Sequence, residues 1–463
     1  MKNSPALLIL IAISFEIACY NFVKNPLFLV LISFIVISCA CFIFRAKGKN
    51  TRIITLTILF LTILCSFRIA AVLSAPPPET AKVELPGVIT MSSAFGRGHA
   101  LIVQTGEGDY LVKRPKDENY NLGEALSLRG WIKPFPVIDD NSKFDEAKFW
   151  KSKGVRAELA VSSIERGTSG EANLHSIRQW IHDKIKSIPN TLRGYLDAMW
   201  TGLRDAELNE KHQRWGTSHL LAVSGFHVGL IAGLIESIFY FSRFRFRLRG
   251  IISSIFMWMY ILISGAAPSA IRAAFMFQTG IIAGIIGRRV HAVNSVAVAA
   301  TAMLLYSPFL FWNVGWRLSV IAALTITALT EIILDKKFKP WTWSIIPPAV
   351  TITTYPVVSS VFGSVPVVGV VLNLIAVPFF AFAFPFISIV AFIGVLQNVT
   401  DASLRLYGYI ADFFTWILPW RVPYNTFLSM FCVLFFYGLM CSVLKNREEL
   451  GVRSEELGVR SEE

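Results

Sequence analysis

Long apolar runs separated by short polar loops fill most of the chain, and one polar stretch interrupts them. Residues 5–23, 26–44 and 53–74 read as three spans, each near the roughly 18 apolar residues that mark a membrane helix. Ala75-Pro76-Pro77-Pro78 then ends the third, because proline cannot continue a helix. Residues 76–165 change period. KVELPGVIT (82–90), HALIVQT (99–105), DYLVKR (109–114), ALSLRGWIKP (125–134) and VRAELAVSSI (155–164) alternate in strand fashion, with glycine-rich turns between several of them. Five short strands in so few residues predict a small closed barrel of OB type. Residues 166–216 predict amphipathic interfacial helices: Leu174, Ile177, Ile181, Ile185 and Ile188 form one stripe, with Arg178, Asp183, Lys184 and Lys186 opposite.

The apolar pattern resumes at 217 and holds to 444. Spans are predicted at 217–242, 250–264, 270–287, 292–311, 316–334 and 342–361. The run 366–399 is interrupted at Pro378 and Pro385, which predicts two crossings or a re-entrant pair. An amphipathic piece at 403–418 precedes a last span at 425–444. Residues 445–463 carry EELGVRS twice and predict a disordered charged tail. The fold class is therefore a polytopic α-helical membrane protein of about ten spans, with an inserted small all-β domain. The N-terminal helices occupy residues 1–75.

Composition agrees with this reading and removes one alternative. The 463 residues are 54% hydrophobic and only 16% charged, where soluble domains are about a quarter charged. The net charge of +13 invites nucleic acid, but its location explains it. Arg45, Lys47, Lys49 and Arg52 share one loop; Arg243, Arg245, Arg247 and Arg249 a second; Arg288 and Arg289 a third; Lys336, Lys337 and Lys339 a fourth. Cationic loops at alternate exits are the positive-inside pattern, placing both termini in the cytoplasm and the barrel outside it. The barrel itself holds 12 Lys and Arg against 13 Asp and Glu, so its electrostatic pull on a polyanion is weak. Its aromatics Tyr110, Tyr120, Trp131 and Phe135 are expected mainly as core rather than as stacking platforms. All six cysteines fall in apolar runs, so no disulfide framework is implied in the soluble region.

Candidate chemistry lies where polar residues enter the apolar core. TSHLLAVSGFHVGLIAG (217–233) holds His219, Ser224 and His227, and Gly225, Gly229 and Gly233 repeat every fourth position. A bare glycine face admits close approach of another backbone. SGAAPSAIRAAFMF (264–277) brings Pro268 and Arg272, WNVGWRLSV (312–320) brings Arg317, and LNLIAVPFF (372–380) brings Asn373. Polar groups at such depth face a bundle interior or a water-filled path. Each has a plainer reading: Arg272 and Arg317 snorkelling to headgroups, Asn373 as interhelical glue, the histidines as satisfied core groups. Ser224 and His227, three apart, also raise an intramembrane hydrolase, although no G-x-S-x-G elbow and no third, orienting group are evident. Glu16 and Glu236 lie in spans with no role assigned. No Walker-type phosphate loop and no metal-ligand spacing occur, so no cofactor or metal is expected and any transport is driven from outside the chain.

At these same residues the chain resembles the ComEC family of competence proteins. HLLAVSGFHVGLIAGL (219–234) is similar to the family signature, and SGAAPSAIRAAFM (264–276), GRRVHAVNSVAVAATAMLLYSPFLFWNVGWRLSV (287–320) and NLIAVPFF (373–380) to its further motifs. FDEAKFWKSKGVRAEL (144–159) is similar to the end of the family's soluble domain. The resemblance implies a bacterial plasma-membrane channel that passes single-stranded DNA into the cytoplasm, lined or gated by His219, Ser224, Gly225, His227, Gly229, Pro268, Arg272, Arg317 and Asn373. Membrane lipids and single-stranded DNA are its implied partners, with a separate DNA-delivery protein and an ATP-driven translocase. Many members continue into a metallo-β-lactamase-like domain; no H-x-H-x-D-H occurs here, which implies a separate nuclease. The rival readings are a transporter of another polymer or lipid-linked solute, the hydrolase, and a non-functional remnant.

Overall fold

A computed structural model describes residues 64–459, apart from 96–97, 116–119, 137–144, 168–173, 242–243, 288–290, 336–343 and 391–392, together with seven residues between 7 and 17. The predicted span at 26–44, most of the span at 5–23, the first half of the span at 53–74, and the basic residues at 45–52, 243, 288–289 and 336–339 lie outside the described residues.

The alternating segment folds as predicted into five strands: β1 (Lys82–Phe95), β2 (Gly98–Thr105), β3 (Gly108–Pro115), β4 (Ala125–Lys133) and β5 (Val155–Arg166). They close into a barrel of order β1-β2-β3-β5-β4, in which β3 and β5 run parallel and every other pair antiparallel. Leu101, Val103, Tyr110, Val112, Leu128 and Leu159 fill the interior. The outer face of β2 and β3 is apolar too, at Ala100, Ile102 and Leu111, and is covered by Phe135 and by Trp150 of helix α2 (Glu146–Lys151). This second layer explains why β2 reads as a nearly continuous apolar run. Tyr110 and Phe135 are core, whereas Trp131 is exposed. Helix α1 (Leu64–Leu73) precedes the barrel.

Helices α3 (Leu174–Ile185), α4 (Asn190–Leu196), a π-helical turn (Asp197–Thr201) and α5 (Ala206–Trp215) follow. Their inner residues Ile185, Leu192, Tyr195 and Trp215 pack with Leu372, Phe380, Leu404 and Tyr407 of the later helices. The stripe on α3 differs from its prediction. Ile177 is exposed, and Arg178, expected among the outward polar residues, is buried.

The core helices are α6 (Ser218–Leu221), α7 (Gly225–Phe241), α8 (Phe246–Ile263), α9 (Pro268–Ile286), α10 (Ala292–Tyr306), α11 (Val314–Asp335), α12 (Ile346–Phe362), α13 (Val368–Val390), α14 (Gly394–Ile417) and α15 (Thr426–Val459). Among the described residues, 268–286, 314–333 and 368–388 are long and apolar enough to cross a membrane, and five further apolar helices are shorter. Leu7, Leu10, Ile13 and Ile17 pack against Val296, Ala300, Val320, Leu324 and Met440, tying the N-terminus to the core.

Three expectations are corrected. The span predicted at 217–242 is not continuous: extended backbone at Ala222 separates α6 from α7. Conversely, Pro378 and Pro385 do not divide 366–399 into two crossings, because both lie inside the single helix α13. A helix proline removes one backbone bond and bends the axis, and packing against neighbours holds the rest. The tail predicted to be disordered from 445 continues α15 as far as Val459.

Candidate functional site

The broken helix is held from both sides. Ser269 in the first turn of α9 donates its hydroxyl to the Val223 carbonyl (2.8 Å), satisfying an acceptor that the break leaves free. Asn373 of α13 donates to the Gly216 carbonyl (3.4 Å), where Gly216 and Gly369 pack backbone to backbone. This is the interhelical role for Asn373, although its Oδ1 is buried without a partner.

Ser224 stands just before α7, three residues ahead of His227. The Ser224 backbone N–H donates to His227 Nδ1 (3.3 Å), and the Ser224 hydroxyl lies 3.1 Å from the same nitrogen. That is one half of a capping box, with histidine in place of glutamate: the His227 ring accepts from the backbone N–H that precedes the helix. Nδ1 accepts, so the proton of the neutral ring sits on Nε2. Nε2 has no hydrogen-bond partner among the described residues, and the ring packs on Phe384 of α13 with centroids 4.5 Å apart. A hydrolytic base needs an orienting group on that second nitrogen; the pair is built as a helix cap.

Gly225, the first residue of α7, faces α9. A Cβ there would lie 3.0 Å from Arg272 Nη2 and 3.2 Å from the Ala273 methyl. Close approach thus holds at Gly225. At Gly229 and Gly233 it does not: among the described residues nothing lies within 4 Å of a Cβ at either, so the glycine face is open there instead of packing against a described backbone. His219 on α6 is also exposed. Glu236, which had no role in the sequence, pairs with Arg249 of α8 at 2.8 Å near the far end of α7, and Arg249 lies over the Tyr240 ring.

Arg272 is 7% exposed. Its Nη1 reaches only the Met276 sulfur at 3.5 Å, its Nε is unpartnered, and no carboxylate pairs with it among the described residues. It is therefore not a snorkelling side chain. Pro268 opens its helix at the first position, where a missing N–H costs nothing. Arg317, in the first turn of α11, also carries a buried Nε without a partner, and no hydrogen bond joins its side chain to the break among the described residues. His212 is a satisfied core histidine, between Tyr195 Oη (2.8 Å) and Thr217 Oγ1 (2.9 Å). Burial pulls its imidazole down to about 3, so it stays neutral.

Reading the residues alone misplaced one buried cation, Arg178. The helical signal was present, since Leu174, Arg178, Ile181 and Ile185 are spaced at i, i+4, i+7 and i+11. Periodicity admits either Ile177 or Arg178 to that face, and hydrophobicity alone chooses the wrong one.

A helical core of membrane character, cut by a broken helix and carrying a buried cation that meets no carboxylate among the described residues, is the class that fold and site define. The chain belongs to the competence protein family, whose model, described as "Competence protein", matches residues 201–448. It is 26% identical over 268 residues to the ComE operon protein 3 of Bacillus subtilis (strain 168), across 56% of this chain and 34% of that protein. It is also 26% identical over 194 residues to the uncharacterized protein MG316 homolog of Mycoplasma pneumoniae, across 42% of this chain and 45% of that one. The chain thus matches about a third and less than half of these relatives' lengths. No solved structure matches it.

Proposed function

We propose that this chain is the membrane component that translocates single-stranded DNA into the cytoplasm during natural transformation, spanning the membrane about ten times with an OB-like barrel on the outer side. The observation that carries this reading is Arg272. A guanidinium buried without a counter-charge is costly to keep unless an anion reaches it. It sits against Gly225, where the N-terminus of a 17-residue helix adds positive potential. A guanidinium fork matches a phosphodiester. The open face at Gly229 and Gly233 continues from that point along α7 toward Arg249 and leaves room for a strand. Membership in the competence family and likeness to a ComE operon protein support the same substrate. A DNA-delivery protein, an ATP-driven translocase and a nuclease complete the pathway on this reading.

The test is transformation frequency in a deletion strain complemented with wild type, Arg272→Ala and Ser224→Ala at matched protein levels. Loss of two or three charge-assisted contacts predicts a fall of about 100-fold for Arg272→Ala. Ser224→Ala, which removes only the hydroxyl contact to His227 and keeps the backbone N–H bond to that ring, should retain most uptake. Undiminished transformation in the deletion strain would sink the reading.

A further inference from the structure

The strand β1 of the barrel has a bulge between Ile89 and Met91, which leaves Thr90 out of the β1–β2 pairing. Bulges of this kind free a backbone group and re-aim the chain. The Thr90 carbonyl so freed accepts from Arg178 Nη1 at 3.3 Å. Arg178 Nε donates to the Thr201 carbonyl at the end of the π-helical turn, where the last carbonyls of a helix otherwise lack partners. The same guanidinium lies against Gly265: a Cβ there would be 3.0 to 3.2 Å from three of its atoms. Arg178 is 8% exposed, and no carboxylate pairs with it among the described residues.

Gly265 and Ala266 form the turn between α8 and α9, with φ of 91° and 50°. Ala266 is the only non-glycine residue with positive φ among the described residues. Such a conformation persists only where the surroundings hold it. Gly202, beside Arg178, packs on the same turn: a Cβ there would be 2.5 Å from the Ser264 carbonyl and 3.4 Å from Arg178 Nη2. The turn leads into Pro268, then to Ser269, which bonds the Val223 carbonyl in the break, and to Arg272. The contacts are therefore continuous from the barrel, through Arg178 and the strained turn, to both walls of the anion site. Additional packing links the barrel to α3, since a Cβ on Gly123 would be 2.6 Å from the Ser176 nitrogen and Leu122 N–H donates to Gln179 Oε1.

We propose that Arg178 is a positioning residue that couples the barrel to the Arg272 site by holding the Gly265–Ala266 turn in its strained form. The inference rests on the translocation reading for what the coupling serves: a barrel displaced by its ligand moves Thr90 and, through Arg178, the turn that sets Arg272. It does not rest on that reading for the coupling itself.

Amide hydrogen exchange on the full-length protein in detergent tests it without any DNA. Arg178→Lys keeps the charge, but one ammonium cannot bond both carbonyls and also fill the gap beside Gly265. Amides of 264–272 and 222–228 should then exchange about tenfold faster, with β2 and β3 unchanged. Loosening confined to α3 and β1 would mark Arg178 as a local structural residue and overturn the proposal. Gly265→Ala attacks the same contact from the core side with Arg178 intact. Coupling is reciprocal, so this variant should speed exchange around Thr90; wild-type rates there would also overturn it. Transformation supplies the functional arm: Arg178→Lys, at wild-type protein levels, should lower uptake about tenfold. Faster exchange with undiminished uptake refutes the role in translocation. A wild type that supports no uptake removes the translocation reading and leaves the coupling to the exchange result.

Discussion

The barrel and the helical core treat positive charge in opposite ways. On the barrel each of several cations has acids in reach: Lys113 bridges Glu146 and Glu158 at 2.8 Å each, Arg129 meets Glu84 at 2.7 Å, and Arg166 meets Glu124 at 3.1 Å. These groups are largely in water, where a pair contributes little. At its edge and inside the core, Arg178 and Arg272 are buried, and among the described residues neither meets a carboxylate. Burial without a counter-ion is tolerated only when backbone carbonyls, helix ends or a bound anion supply the missing partner. Arg178 uses carbonyls, and Arg272 has only a sulfur. The contrast locates the demand for an anion in the helical core and not on the barrel.

The largest stability effect that sharpens this comparison belongs to the barrel. Trp150, 1% exposed, closes its second apolar layer. Trp150→Ala should destabilise the barrel by about 3–5 kcal/mol, seen as proteolytic cutting between β4 and β5 while the core helices remain protected. Simultaneous loss of the core would mean that the two regions fold as one unit.

Next come the glycines of α7, which separate packed from open surface. Gly225→Ala drives a methyl to 3.0 Å from Arg272 and should cost about 1–3 kcal/mol, read as a lower melting temperature. Gly229→Ala meets none of the described residues and should instead stabilise the helix by up to about 1 kcal/mol. If the open face is the strand's path, Gly229→Leu lowers uptake without lowering stability. Equal destabilisation at both alanine variants would mean that α7 is packed along its whole face.

Lys153 tests the boundary between the regions. Burial first, and then nearby Arg204, bring its amine down to about 8 from 10.5. The folded pKa lies below the unfolded one, so between those values the unfolded chain binds more protons and stability rises as pH climbs from about 8 toward 10.5. Below about 8 the full penalty for the buried cation applies. Lys153→Met should raise the melting temperature at pH 7 and flatten its rise between pH 8 and 10. An unchanged rise would place the titration elsewhere.

The smallest effect is expected at Arg129, whose partners are exposed acids. Arg129→Ala should leave both the thermal transition and the transformation frequency where they are. A clear loss of uptake there would break the comparison, by showing that the barrel's surface charge handles DNA.

Much of this architecture is written in local pattern. Period-two alternation and glycine turns set all five strands, since each strand must bury one face. Runs of apolar residues marked most core helices, because length and hydropathy act through the chain itself. The identity of the polar residues in those runs pointed to Ser224, His227, Arg272 and Asn373 before any contact was known. Tertiary structure alone decided what each does. Ser224 and His227 pair at the start of α7 because the helix restarts there, after a break that apolar periodicity does not register. Pro378 and Pro385 remain inside one helix because neighbouring helices hold α13. Gly225 packs while Gly229 and Gly233 do not, since the same spacing meets α9 at one turn and open space at the next two. Arg178 joins barrel to core because a bulge frees the Thr90 carbonyl on a strand almost ninety residues away in sequence. Spacing along one element is a short-range property; which carbonyl, helix or void stands opposite is fixed only when distant segments pack.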